Sequence, residues 1–168
     1  MDAAELKQIQ APIKARYRDE PEAAIITLKA EGRLGDEVSC SVETGRALVE
    51  AGLHPAGGGS GLHACSGDML LQALVACAGV TLNAVATAME LDIGEARVKA
   101  EGDLDVRGTL GVAKDAPVGF RDIRMTFEIG GDLTQEQRDT LLKLTERYCV
   151  VYQTLLQAPN IAVDLKTA

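Results

Sequence analysis

Residues 68–89 read DMLLQALVACAGVTLNAVATAM, and Gln72, Thr81 and Asn83 are the main polar interruptions in the run. Apolar side chains fall on nearly every face of the helical wheel. That pattern predicts a helix over about 67–91, buried nearly all round. Ser66 is a suitable N-cap, and Asp68 in the first turn suits the positive end of the helix. Ala73, Ala76, Ala78 and Gly79 allow neighbouring elements to approach closely. The polar interruptions and the charged residues that end the run point to a core helix rather than a membrane span. In its middle sits Cys77, where a small apolar residue would pack equally well.

A helix of this kind needs a sheet to lie on, and the flanks supply strands. In 23–51, Ile26, Leu28 and Ala30 alternate with Thr27 and Lys29, and Val38, Cys40 and Val42 alternate with Ser39 and Ser41. This period of two predicts three antiparallel strands in a meander, with turns at 32–36 and 44–45. Two longer strands are predicted at 96–108, with Gly102 as a bulge, and at 120–130. A second helix is predicted at 135–157, opened by a capping box at Thr134 and Gln137 and stopped by Pro159. NIAVDLK (160–166) reads as a closing strand. Residues 4–18 carry Leu6, Ile9 and Ile13 at helical spacing, with Pro12 as a break or kink. The predicted class is α+β: an antiparallel sheet with two main helices packed on one face. The division is an N-terminal helical extension over 1–22 and one domain over 23–168.

The chain has 168 residues, 46% of them apolar and 25% charged, an ordinary globular balance. With 3% aromatics and no Trp, the core is built from Ala, Val, Leu and Ile. The formal charge of −8 argues against nucleic acid and against an anionic membrane as partner. The N-terminus lacks the basic and apolar regions of a signal peptide. The four cysteines at 40, 65, 77 and 149 are too widely and irregularly spaced for a disulfide framework. Together these features predict a cytoplasmic protein.

Glycine-rich residues 52–67 lack the strand and the Gly-Lys-Ser/Thr of a phosphate-binding loop and read as a flexible surface loop. His54, His63 and Cys65 would start a zinc site, but a fourth ligand is not evident. Cys65 would otherwise lie near the mouth of a site, as an alternative resolving thiol, and Cys40 belongs to a strand core. Cys77 and Cys149 each fall inside a main helix, so two helices on one sheet face would bring the thiols together. Such a pair supports peroxide chemistry: one thiolate becomes a sulfenic acid, and the other condenses with it to a disulfide. Taken alone, two helical cysteines are more often small core residues. Apolar burial raises a thiol's pKa, so a reactive Cys77 needs a cation, and none of its helical neighbours is charged.

SGDMLLQALVACAGVTLNAVA (66–86), two strands, and then TQEQRDTLLKLTERYCVVYQTLLQAPNIAVDL (134–165) resemble the OsmC/Ohr family over roughly 24–167. The resemblance implies an intertwined homodimer with sites at its interface, and reduction of organic hydroperoxides without a bound cofactor. An external dithiol would restore the enzyme. It implies Cys77 as the peroxidatic thiol and Cys149 as the resolving one. An arginine that activates the thiolate maps onto Arg33, with Arg46 as a rival, and the acid that orients it maps onto Asp68. The family's Cys-Pro at the second site is here Cys149-Val150. Nine residues of ideal helix rotate about 900°, which sets Asp68 opposite Cys77 unless it precedes the regular helix. These departures keep a second expectation open: a divergent binding or stress-response protein on the same fold.

Overall fold

The structure, a computed structural model, describes residues 3–35, 39–42, 51–62 and 64–165, with backbone alone at 3–7, 9–10, 27–35, 39–42 and 51. Helix α1 (Ala3–Asp19) leads through a 3-10 turn into β1 (Ile25–Gly35) and β2 (Ser39–Val42). Two short strands, β3 (Ala51–Gly52) and β4 (Ala64–Cys65), flank a second 3-10 turn. Helix α2 (Ser66–Ala88) follows, then β5 (Ala96–Asp105), one turn of helix α3 (Val106–Thr109), β6 (Phe120–Ile129), α4 (Gln135–Tyr148) and α5 (Val150–Leu156).

β1, β2, β5 and β6 form one antiparallel sheet in the order β2-β1-β5-β6. Helix α2 lies on β1, β2 and β5, and α4 and α5 pack against α2. Leu71, Leu74, Val75 and Ala78 meet Val98 and Ala100 of β5 together with Cys149 in the main core. A second cluster joins Leu82 and Ala86 to Leu141 of α4 and Leu133. The mixed helix and antiparallel-sheet class expected from periodicity is the class found. Its capping box is present too, with Thr134 Oγ1 accepting from the Gln137 amide and Gln137 Oε1 accepting from the Thr134 amide.

Several local expectations change. Helix α1 runs through Pro12 without a break. It is held by Tyr17, whose buried ring joins Ala24, Val106 and Leu110 and whose hydroxyl donates to the Ala56 carbonyl at 2.9 Å. Of the early meander, β1 and β2 form an antiparallel hairpin, and β1 continues through the predicted turn as far as Gly35. The segment expected as the third strand lies outside the described residues up to residue 50, and β3 just after it pairs with β4 in parallel. The predicted turn at 44–45 lies outside the described residues, as do His63 and Arg46. The strand from 96 stops at Asp105, because its carboxylate accepts from the Arg107 amide and starts a helical turn. Cys65 rather than Ser66 occupies the N-cap of α2. One side of α2 is open: Met69, Leu70 and Val80 are exposed in the single chain.

The glycine-rich loop is an organised turn. His54 Nδ1 accepts from the Ala56 amide at 3.0 Å, and Gly58 and Gly61 adopt positive φ. A Cβ on Gly59 would fall on the Leu53 carbonyl oxygen. The predicted final strand has no partner: described residues 158–165 carry neither helix nor strand. The bulge lies one residue beyond Gly102, between Asp103 and Leu104, where Arg121 is the extra residue on β6. Gly102 has a different task. A Cβ there would approach the Phe120 ring at 2.5 Å and Leu71 at 3.4 Å, so its bareness lets Phe120 lie across β5 beneath α2. Gly102→Ala is expected to destabilise the fold by about 1–3 kcal/mol, the usual cost of overpacking, measured as a lower midpoint in urea unfolding.

Candidate functional site

Cys77 lies midway along α2, half-buried, and packs against the core that contains the fully buried Cys149. Each thiol shifts the pKa of the other through hydrogen bonding. Cys149 is not inside a helix as its surroundings predict. It is the last cap of α4 and the first cap of α5, with φ −72° and ψ 106°, an extended residue between two helices.

That break decides the electrostatics. The first amides of any helix have no carbonyl partner within it. Here the amides of Val150 and Val151 favour a Cys77 thiolate, and those of Val151 and Tyr152 favour a Cys149 thiolate. Burial works against a Cys77 thiolate. The Val151 amide, the Cys149 thiol and the Val150 amide outweigh it, and the Cys77 pKa falls below its ordinary value. The Thr81 hydroxyl adds least, since it already donates its single proton to the Cys77 carbonyl at 2.7 Å. Cys149 goes the other way. Burial is the main cause, the Tyr152 amide opposes it, and hydrogen bonding to Cys77 adds to it, pushing the thiol up to about 11. One sulfur is prepared to carry charge, and the other keeps its proton and donates it.

Cys65, the alternative resolving thiol, packs against the same cluster as Cys77, whereas Asp68 is turned away from it. Asp68 is the third residue of α2, inside the regular helix, so nine residues of rotation set it on the side away from Cys77. Burial raises its pKa and the nearby His54 lowers it. The backbone of Arg33 sits in β1 opposite Ser41 and Arg97, and its side chain lies outside the described residues. Among the described residues no three His, Cys, Asp or Glu side chains are grouped to hold a metal ion. A groove of about 550 Å³ runs between β6 and the α4–α5 pair, lined by Phe120, Ile123, Met125, Phe127, Leu155 and Leu156 among others. Leu74 and Tyr152 belong both to its wall and to the cluster around the sulfurs.

A family model described as OsmC-like protein matches residues 57–164, well over half of the chain. The chain belongs to the OsmC-like family. The solved structures similar to this OsmC-like chain include an OsmC-like hydroperoxide resistance protein from Jannaschia sp. CCS1 and an OsmC-like protein from Mycoplasma pneumoniae. The first is 16% identical, with TM-score 0.62, covering 86% of this chain and 95% of that one. The second is 18% identical, with TM-score 0.55, covering 80% and 86%. At these identities the likeness concerns the fold. A comparison with curated proteins finds no match.

The amide donors of Val150, Val151 and Tyr152 were not anticipated from sequence, since helical spacing continues across residue 149. The usable signal was the family's proline after the second cysteine. Proline is favoured at the first helical position, so the pattern marks a helix start. Residue 149 already has the extended conformation that proline requires before it. Val150→Pro is therefore expected to fold normally but to remove one donor from the Cys77 thiolate. Its alkylation by iodoacetamide, followed against pH, should shift to higher pH at Cys77.

Proposed function

We propose that this chain is a cytoplasmic thiol-dependent peroxidase that reduces organic hydroperoxides through Cys77 and Cys149. The observation that carries the reading is the packing of Cys77 against the cluster that holds the buried Cys149 at the start of α5. The Cys77 thiolate attacks the terminal oxygen of the hydroperoxide. The O–O bond breaks, the alkoxide leaves and takes a proton to become the alcohol, and Cys77 is left as a sulfenic acid. Cys149 then attacks the Cys77 sulfur, the S–O bond breaks, water departs and a disulfide remains. An external dithiol reduces it by exchange.

The order of steps follows from the shared donors. While Cys77 is a thiolate, its charge and its hydrogen bond both hold the proton on Cys149. Oxidation of Cys77 removes both effects and leaves the Tyr152 and Val151 amides to support a Cys149 thiolate. The resolving thiol is thus held more firmly protonated before the first step than after it, with burial acting throughout. The apolar groove beside Tyr152 and Leu74 suits the carbon chain of an organic hydroperoxide better than hydrogen peroxide. Arg33 is the cation proposed to stabilise the leaving alkoxide, and Asp68 the acid proposed to orient it.

A second reading, a divergent binding or stress-response protein on this fold, is favoured by the distance of Asp68 from Cys77 along the helix. Both readings are tested by adding cumene hydroperoxide to the reduced protein and mapping the disulfides by mass spectrometry. The peroxidase reading expects a Cys77–Cys149 bond and loss of peroxide consumption by at least about a hundredfold in Cys77→Ser, the scale lost with an activated nucleophile. Cys149→Ser should instead stop after one turnover with a trappable sulfenic acid. A Cys77 that stays reduced in excess hydroperoxide would overturn the peroxidase.

The working form is proposed to be a homodimer. The C-terminal segment alternates Ile161, Val163 and Leu165, exposed at 80%, 91% and 91%, the pattern of a strand with one side to bury. The outer side of β6 is a sheet edge, and α2 exposes Leu70 and Val80. A second copy would cover these surfaces. Replacing Ile161, Val163 and Leu165 together by Ser should shift the protein from dimer to monomer in sedimentation velocity. An unchanged dimer would remove the C-terminal segment from the interface.

A further inference from the structure

In an unbroken helix the Glu146 carbonyl would accept from the Val150 amide, four residues on. In this chain it does not: residue 149 is extended, and Val150 opens a new helix with its amide on the side that favours a Cys77 thiolate. The Glu146 carbonyl is instead taken by the side chain of Gln153, whose Nε2 donates to it at 2.8 Å across the break. The Gln153 backbone amide also donates to the Cys149 carbonyl at 2.9 Å, while the Cys149 amide donates to the Thr145 carbonyl at 2.9 Å. One residue therefore holds both sides of the junction. A buried or half-buried carbonyl without a donor is costly, so an empty Glu146 carbonyl would draw the nearest main-chain amide. The nearest in the helical register is that of Val150.

We propose that Gln153 is a positioning residue: by occupying the Glu146 carbonyl, it keeps α4 and α5 from joining into one helix and leaves the Val150 amide aimed at Cys77. It does so without touching substrate or either sulfur. Its hydrogen-bonding amide, rather than its bulk, carries the role, because only an N–H donor satisfies a carbonyl. The inference rests on the sulfur pair as the working site, but it concerns the state of Cys77 before any peroxide arrives.

The test is the pH profile of Cys77 alkylation by iodoacetamide in the full chain, read at the Cys77 peptide by mass spectrometry. Gln153→Leu keeps the shape and removes the donor. The expected result is a rise in the apparent Cys77 pKa and a severalfold lower thiolate fraction at neutral pH. If Gln153→Leu fails to fold, Gln153→Met, with a flexible chain of similar length, takes its place in the same measurement. In the Val150→Pro background, where residue 150 has no amide to lose, Gln153→Leu should add no further shift. A Gln153 variant with a lower melting temperature but an unmoved Cys77 profile would overturn the proposal and leave Gln153 a simple brace. So would a further shift of the same size in the Val150→Pro background. The alkylation needs no hydroperoxide. If the wild-type protein consumes none while Gln153→Leu still moves the profile, the peroxidase reading fails and this one stands.

Discussion

The structure depends on one interrupted helix. Cys149 takes an extended ψ of 106° between α4 and α5, and the amides that a continuous helix would bury in its own ladder become free. Those amides are the groups that oppose the desolvation of two apolar-packed sulfurs. Burial alone would make both thiols inert. The break makes them unlike: Val150 and Val151 serve Cys77, while Cys149 keeps its proton. Helix α2 supplies the rigid half of this arrangement. Its Leu71, Leu74, Val75 and Ala78 stripe is locked against β5, so Cys77 is presented at a fixed place for α5 to meet.

Much of the scaffold was legible because each part rests on a local period. The α2 run, the β5 and β6 alternations and the Thr134–Gln137 box all follow from spacing within a few residues. The break at Cys149 does not. ERYCVVYQTL has helical spacing on both sides of the cysteine, and nothing local announces that residue 149 must be extended. Its cause is tertiary: amides lost to the helix are regained at the sulfurs, and the Glu146 carbonyl is regained through Gln153. Gly102 was similarly ambiguous. A glycine in a strand marks either a bulge or a close approach, and only the position of the Phe120 ring decides between them.

Two sequence expectations and the single chain disagree in the same direction. The α2 run reads as apolar all round, yet Leu70 and Val80 face outward. The 160–166 segment reads as a strand, yet its described residues pair with nothing and expose their apolar side chains. Both patterns ask for more neighbours than one chain supplies, which is why a second copy completes the proposed working form. The C-terminal end of helix α1 is held within the chain. Its Tyr17 already reaches the Ala56 carbonyl, tying α1 to the turn that precedes α2.

The support for Cys77 that comes from Val150 and Val151 is built of main-chain N–H groups, which every residue except proline carries. Evolution can therefore exchange the side chains at these positions while the donors persist. Sequence drift through this junction would be electrostatically silent so long as the bend itself survives. The heritable element is a shape of the backbone, and the residues under tightest selection there would be those that hold the bend, not those that display the donors.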